Sequence, residues 1–387
     1  MQELKRAILF YSLTILNSFF VKKNNKIAVY GRTKLENNSE AILKYLIENG
    51  YNEKYEIVCL LRNYKDYEKY TRKNMKFVSK TFKTLYHLFT SKYIFNSQTL
   101  SVAAFKPLYG QITMNIWHGS PLKALGRMVS KKETMHYPTK ADTYFLVASV
   151  FFKQKYLQCY NYKEEQYIIG GNPRNDLLFS EKSCLKILGI SQESYKKVVL
   201  FMPTFRNSKE LGRNDSNKEF PLITLENIDY VNSFLKENRI LCIIKPHPYQ
   251  DNISFLNSKY SNIVKYNNDD LIRSDINLYE LLGQVDALIT DYSSVYFDFL
   301  ILDKPIGFAI EDLSNYNDSR GFTVDNPLDF MPGPKIYDIN DFLNFFISLN
   351  KEDQYSLERK RINEIANRYT DNKNTERILT LLNISRA

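Results

Sequence analysis

Two α/β units, each a parallel sheet with helices on its faces, follow from three observations. The chain has 387 residues, more than one small core organises and enough for two domains of ordinary size. Short apolar runs alternate with helix-compatible stretches along nearly its whole length, as strands joined by crossover helices do. The residues suited to chemistry come directly after those apolar runs, at the strand ends where open parallel sheets bind ligands.

Taken in order, Lys5-Arg6 precede a mostly apolar stretch, Ala7 to Val21, broken by Ser12, Thr14, Asn17 and Ser18. It is shorter than the roughly 20 residues a membrane span needs, and no A-x-A-like site precedes Lys22-Lys23. Leu9, Leu13, Leu16 and Phe20 share one helical face, so residues 1–24 read as an amphipathic helix that lies on a membrane or packs on the domain. Strands are expected at Lys26–Tyr30, Glu56–Leu61, Tyr93–Asn96, Ile112–Ile116, Thr143–Ala148 and Tyr167–Ile169, with a helix from about Ser39 to Asn49 that Gly50 stops. A polar stretch near 180–195 separates these from a second series: Lys197–Met202, Ile240–Lys245, Ile263–Tyr266, Ala287–Ile289 and Ile306–Phe308. The expected domains are therefore 25–185 and 186–387, the second closed by one or two helices between Glu352 and Leu382.

The formal charge of +10, from 53 basic and 43 acidic residues, favours anionic partners: nucleic acid, acidic lipid or phosphorylated substrates. No recognised nucleic-acid motif is present, and the basic residues of interest sit at strand ends, so nucleic acid is not expected as a partner. The densest basic run, Arg62 to Lys83, reads as a solvated face or as a surface for anionic lipid headgroups. Cys59, Cys159, Cys184 and Cys242 are far apart, which indicates neither a disulfide framework nor a zinc site. Isolated Asp and Glu residues show no ligand spacing, so no cofactor is expected and a divalent ion such as Mg2+ stays open.

Two of the four histidines occupy similar strand-end loops. His118 lies in Trp117-His118-Gly119-Ser120-Pro121-Leu122-Lys123, where Gly119 and Pro121 force a turn that exposes the imidazole together with Lys123. His247 lies in Lys245-Pro246-His247-Pro248, where two prolines stiffen the backbone. Arg206 follows the Lys197–Met202 strand in Pro203-Thr204-Phe205-Arg206. Arg174, in the turn Gly171-Asn172-Pro173-Arg174-Asn175-Asp176, reads either as a ligand-binding group or as a turn brace paired with Asp176. Asp291 marks the exit of the Ala287–Ile289 strand. Tyr292, Ser293 and Ser294 then open a helix through Leu302, with a serine expected as N-cap, and a helix start at a strand's end suits an anion. Arg320, in Ser319-Arg320-Gly321-Phe322, adds another cation. A cationic, histidine-bearing site of this kind suits a diphosphate.

The motifs WHGSPLK, GNPRND, PTFR, KPHP, ITDYSSVYFDFLILDKP, SRGF and MPGP, in that order, resemble the CDP-glycerol glycerophosphotransferase family, the primases and polymerases of wall teichoic acid and related capsule polymers. The resemblance covers about residues 25 to 385; Ser120 stands where threonine is expected, and the hydroxyl is kept. It implies a GT-B-type architecture of two Rossmann-like domains, the first for the acceptor and the second for the CDP donor, with peripheral attachment to the cytoplasmic face of the bacterial membrane. It further implies transfer of glycerol phosphate from CDP-glycerol to a lipid-linked saccharide acceptor, with His118 as base. His247, Lys245 and Arg206 would then hold the donor diphosphate, with Ser293-Ser294 at a helix start. Asp298, one helical turn after Ser294, would face the cytidine ribose, or else pair with a nearby base. CDP-ribitol as donor, or a nucleotide sugar in a GT-B glycosyltransferase, are the alternatives.

Overall fold

The computed structural model describes residues 2–31, 33–79, 81–97, 104–129, 139–204, 207–208, 213–214, 220–247, 253–257, 259–313 and 321–386. The chain divides into two compact units. The first comprises Met1–Ser120, Leu125–Leu177 and Arg368–Ala387; the second comprises Pro121–Ala124 and Leu178–Asn367. The crossing thus falls a few residues before the expected boundary at 185, and the last twenty residues belong to the first unit rather than the second.

The first unit holds seven strands: β1 (Lys23–Tyr30), β2 (Glu56–Leu60), β3 (Met75–Val78), β4 (Ser91–Asn96), β5 (Ile112–Asn115), β6 (Tyr144–Val147) and β7 (Tyr167–Ile169). They pair in the order β3-β2-β1-β4-β5-β6-β7, all parallel. The N-terminal stretch forms α1 (Gln2–Ser18). A parallel strand covered on both faces must be apolar throughout, and β1 shows how the two faces are shared. Ile27 and Val29 pack with α2 (Asn37–Glu48) through Ile42, Leu43 and Leu46, while Ala28 and Tyr30 pack with Leu88 and Phe89 of α3 (Thr81–Thr90). A fourth helix, α4 (Val150–Cys159), connects β6 to β7. Sequence patterning passes over β3 because Lys76 interrupts its apolar residues, and a lysine on an edge strand discourages pairing with a further chain.

In α1, Leu13 enters the core beside Ala28 and Leu88, and Asn17 donates to the Lys106 carbonyl and to Gln111 Oε1, both at 3.2 Å. Leu4, Ile8, Leu9, Tyr11, Ile15 and Leu16 stay exposed. No helix among the described residues is long and apolar enough to cross a membrane.

The second unit contains β8 (Lys197–Phe201), a short antiparallel ribbon of β9 (Asn207–Ser208) and β10 (Arg213–Asn214), then β11 (Ile240–Ile244), β12 (Ile263–Lys265), β13 (Ala287–Thr290), β14 (Ile306–Ala309) and β15 (Lys335–Ile336). Its six-stranded parallel sheet runs β12-β11-β8-β13-β14-β15. Read from its first strand, that order is 3-2-1-4-5-6, the doubly wound arrangement of dinucleotide-binding folds. Its helices are α5 (Cys184–Ile187), α6 (Ile228–Glu237), α7 (Asn268–Arg273), α8 (Leu278–Gln284), α9 (Val295–Phe299), α10 (Ile339–Ser348) and α11 (Ser356–Ala366); the chain then returns to the first unit for α12 (Asn374–Leu381). Val231 and Leu235 of α6 and Phe342 and Phe346 of α10 pack on Val199, Phe201 and Ile244.

The return of α12 has a definite cause. Ile378, Leu379 and Leu382 join the core of Ile27 and Leu46, and Asp176 accepts from Asn374 N and Nδ2 and from Thr375 N at 2.8–2.9 Å. An Asp176→Ala substitution leaves these donors without their acceptor. It is expected to destabilise the protein by about 2–4 kcal/mol, read from the denaturant midpoint at unchanged m-value.

Candidate active site

In the first unit the site is built on the four residues that follow β5. Trp117 has φ +45°, a left-handed conformation that a bulky residue keeps only when its surroundings impose it. Those surroundings are explicit. Asn38, in the first turn of α2, donates to the carbonyls of Ile116 and Trp117 at 2.8 and 3.1 Å. Arg174 Nη1 donates to the His118 carbonyl at 2.7 Å, and Tyr156 Oη of α4 donates to the Gly119 carbonyl at 2.6 Å. Four successive carbonyls, 116 to 119, are therefore held by three side chains from separate elements.

The Trp117 indole is buried against Phe145, Tyr156 and Tyr160, and its outer face stacks on the His118 ring at 4.1 Å and 26°. His118 itself is exposed. Its Nδ1 faces the Ser97 carbonyl at the end of β4 at 3.4 Å. A carbonyl only accepts, so Nδ1 carries the proton and Nε2 the lone pair. Although the ring reaches solvent, the protein atoms crowded around it desolvate its charged form and lower the His118 pKa below the ordinary histidine value; Glu36 and the Ser97 carbonyl oppose that shift and Arg174 adds to it. A neutral, reachable imidazole with a fixed tautomer is equipped to take a proton from a hydroxyl.

Arg174, singled out from the sequence as a ligand group or as a partner of Asp176, is buried and braces the His118 loop. Its backbone N–H also donates to Asn38 Oδ1 at 3.1 Å, which closes a ring of contacts around that loop. Asp176 is committed to α12 instead.

The second unit gathers its polar residues at the C-terminal ends of three neighbouring strands. Asp291, after β13, is fully buried, and its Oδ2 accepts from both the N–H and the hydroxyl of Thr204 at 2.8 Å. Thr204 follows β8, so this pair spans the place where the strand order reverses. Lys245 follows β11 and is buried, and His247 is half-buried beyond it. Burial, with Lys123 and Lys245 beside it, pushes the His247 pKa down to about 4 against the opposing pull of Asp291. His247 is therefore neutral near pH 7, and positive charge on this edge comes from the lysines.

Lys123 belongs to this unit, although His118, five residues earlier, belongs to the first. Segment Pro121–Ala124 is fastened here by Thr323, whose N–H and hydroxyl donate to the Leu122 and Pro121 carbonyls at 2.8 and 2.9 Å, and by the Ala124 N–H, which donates to the Gly321 carbonyl at 3.1 Å. Phe322, bridged to Lys123, packs on Tyr292 at 5.5 Å.

The helix after Ser293 and Ser294 is shorter than the sequence suggests: α9 spans Val295–Phe299 and passes into a 3₁₀ turn, Leu300–Leu302. Ser294 occupies the N-cap position without a side-chain cap bond, while Ser293 Oγ accepts from Val295 N at 3.5 Å. A helix of this length has a weak dipole, so anion binding on this edge rests more on the lysines. Asp298 is fully buried and accepts from Tyr279 Oη at 2.8 Å. Arg206 and Arg320 lie outside the described residues. Among the described residues, no group of three or more His, Cys, Asp or Glu is placed to hold a metal ion.

Sequence reasoning passes over Asn38, Tyr156, Thr204 and Thr323. Thr204 sits inside the PTFR motif, where the arginine is the conspicuous charge. Asn38 stands among polar residues at a helix start and gives no local signal.

Comparison with known proteins decides the family. The model described as CDP-Glycerol:Poly(glycerophosphate) glycerophosphotransferase matches residues 10–383. The chain belongs to this family. It is 27% identical over 384 residues to the teichoic acid glycerol-phosphate primase of Bacillus subtilis (strain 168), covering 94% of this chain and 93% of that one. It is likewise 27% identical over 341 residues to the teichoic acid poly(glycerol phosphate) polymerase of Bacillus spizizenii, covering 81% and 82%. Among solved structures, that of the wall teichoic acid polymerase TagF matches with a TM-score of 0.73 at 19% identity, over 98% of this chain and 93% of that one. The two-sheet architecture is thus of GT-B type, and the enzyme is a CDP-glycerol glycerophosphotransferase by family.

Asn38 is itself buried and serves the His118 loop by holding its backbone. Asn38→Ala is expected to lower kcat roughly 10- to 100-fold while leaving the KM for CDP-glycerol near its original value, in steady-state transfer assays.

Proposed function

We propose that this enzyme transfers glycerol phosphate from CDP-glycerol to a hydroxyl of a lipid-linked acceptor and releases CMP. The observation that carries the reading is His118: a reachable imidazole with Nε2 as its basic nitrogen, on a backbone braced at four carbonyls. Nε2 takes the proton as the acceptor oxygen forms its bond to the glycerol-linked phosphorus, and the bond from that phosphorus to the bridging oxygen breaks as CMP departs. Such a reaction depends on positioning and on positive charge around the phosphates. Lys245 and Lys123 supply that charge, with Arg206 and Arg320 assigned to the same role from the sequence. His247, neutral when no anion is bound, donates a hydrogen bond, and a bound diphosphate would raise its pKa. Ser293 and Ser294 contact the donor phosphates. Asp291 positions the β8 and β13 strand ends through Thr204, and Asp298, buried and bonded to Tyr279, ties α9 to α8 rather than meeting the ribose.

The decisive experiment incubates purified enzyme and lipid acceptor with CDP-glycerol, CDP-ribitol or UDP-sugars and measures nucleotide release. CMP release that requires CDP-glycerol supports the proposal; release from CDP-ribitol alone or of UDP alone overturns it. His118→Ala should reduce transfer about 10²- to 10⁴-fold with CDP-glycerol binding retained. Because the base must be unprotonated and its pKa is lowered, kcat/KM should stay level through neutral pH and fall only as pH drops below about 6.5. A midpoint above that value contradicts the assignment.

The same proposal places the enzyme on the cytoplasmic face of the membrane. Ile8 and Ile15 of α1 are 57% and 61% exposed, Phe82 of α3 is 88% exposed, and Lys5, Arg6 and the basic run from Arg62 lie in the same unit. Ile8→Glu with Ile15→Glu removes apolar contacts without touching the core. It is expected to abolish co-sedimentation with phosphatidylglycerol vesicles while the melting temperature is unchanged.

A further inference from the structure

We propose that the first unit carries a distinct pocket for the hydrocarbon chain of the acceptor lipid, with Arg62 at its rim to meet the phosphate that joins chain to headgroup. This rests on the reading of the enzyme as a transferase with a lipid-linked acceptor.

A cavity of about 250 Å³ lies between α1 and α3 at the C-terminal ends of β1 and β2. It exceeds the roughly 150 Å³ of an apolar cavity that admits benzene. Leu13, Leu60 and Leu61 are buried and form its floor, while Leu9, Leu85 and the Tyr30 ring form its walls. Gly31 completes the floor at a sharp turn, where an added Cβ would meet the Lys34 carbonyl oxygen at 2.5 Å. Of the polar groups that line it, Arg62, Ser79 and Thr81 are exposed and mark its mouth, while Thr84 of α3 is half-buried in its wall. Among the described residues Arg62 has neither a hydrogen-bond nor an ion-pair partner. Apolar depth beneath a cationic, hydroxyl-bearing rim is the complement of a lipid phosphate.

Two features fit the acceptor lipid, the first by giving a membrane-held chain a way in and the second by placing its headgroup toward His118. Leu9 belongs both to the cavity wall and to the exposed apolar surface of α1, so a chain held in a bilayer passes into the cavity without crossing water. The cavity also opens on the same sheet edge as His118. Arg62 follows β2 and His118 follows β5, with β1 and β4 between them. Three inter-strand steps of about 4.8 Å place them roughly 14 Å apart along the edge, a span that a short saccharide headgroup bridges.

Thr84→Trp fills the cavity from α3, and Arg62→Glu reverses the charge at its rim. Titration calorimetry with farnesyl phosphate, with farnesol and with inorganic phosphate reads the chain and the charge separately. The wild-type protein should bind farnesyl phosphate at least tenfold more tightly than either fragment. Thr84→Trp should weaken that binding at least tenfold while vesicle binding is unchanged, and Arg62→Glu should make farnesol and farnesyl phosphate bind alike. In transfer assays both variants should raise the acceptor KM and leave the CDP-glycerol KM unaltered. Equal farnesyl phosphate affinity in wild-type and Thr84→Trp protein, or equal affinity for inorganic phosphate alone, overturns the pocket. Arg62→Glu lies at an exposed position and provides the test if Thr84→Trp fails to fold. Farnesyl phosphate binding that responds to both substitutions, in a protein that releases no CMP from CDP-glycerol, upholds the cavity and refutes the transferase reading.

Discussion

In each sheet the crossovers proceed in one direction from the founding strand and then in the other. Between β1 and β4, and again between β8 and β13, neighbouring connections leave on opposite faces and open a crevice at the strand ends. That reversal governs where polar residues can be placed without disturbing either core. Thr204 and Asp291 lie across the reversal of the second sheet, and Gly31 and Ser97 flank that of the first. His118 reaches the first crevice from the next strand over, through its contact with Ser97.

The two units handle polarity differently at these edges. The first uses its side chains to hold backbone: Asn38, Arg174 and Tyr156 all end on carbonyls, and the strained φ of Trp117 persists because its indole is packed on three aromatic rings. The second concentrates charge. Burial keeps the His247 imidazole neutral there, and Lys123 and Lys245 act in the same direction. A fixed base and a cationic anion site call for these two different solutions, since the first needs direction and the second needs potential.

Much of this is legible in the residues. The long strands of both sheets stand out as apolar runs, because strands buried on both faces have no polar face to confuse the pattern. His118, His247 and Lys245 are visible because they follow such runs directly. β3 is hidden by its lysine, and α9 looks longer than it is because Leu300 and Leu302 are apolar in a 3₁₀ turn as they would be in a helix. Arg174 looks like a ligand group because charge is visible in a sequence while the carbonyl it serves is not. Asn38, 136 residues before the turn it joins, shows that bracing across long separations leaves no periodic trace. The cavity between α1 and α3 is equally invisible, since it depends on how two helices meet strand ends rather than on any one motif.

The return of α12 to the first unit bears on how the protein is made. The chain passes between units four times, and Ile378, Leu379 and Leu382 complete a core that β1 begins. On the ribosome, the unit whose strands emerge first cannot close until α12 has left the exit tunnel. The second unit, finished at Asn367, has all of its own sequence earlier. Folding order is thereby inverted relative to synthesis order, and a nascent first unit must wait with part of its apolar surface uncovered.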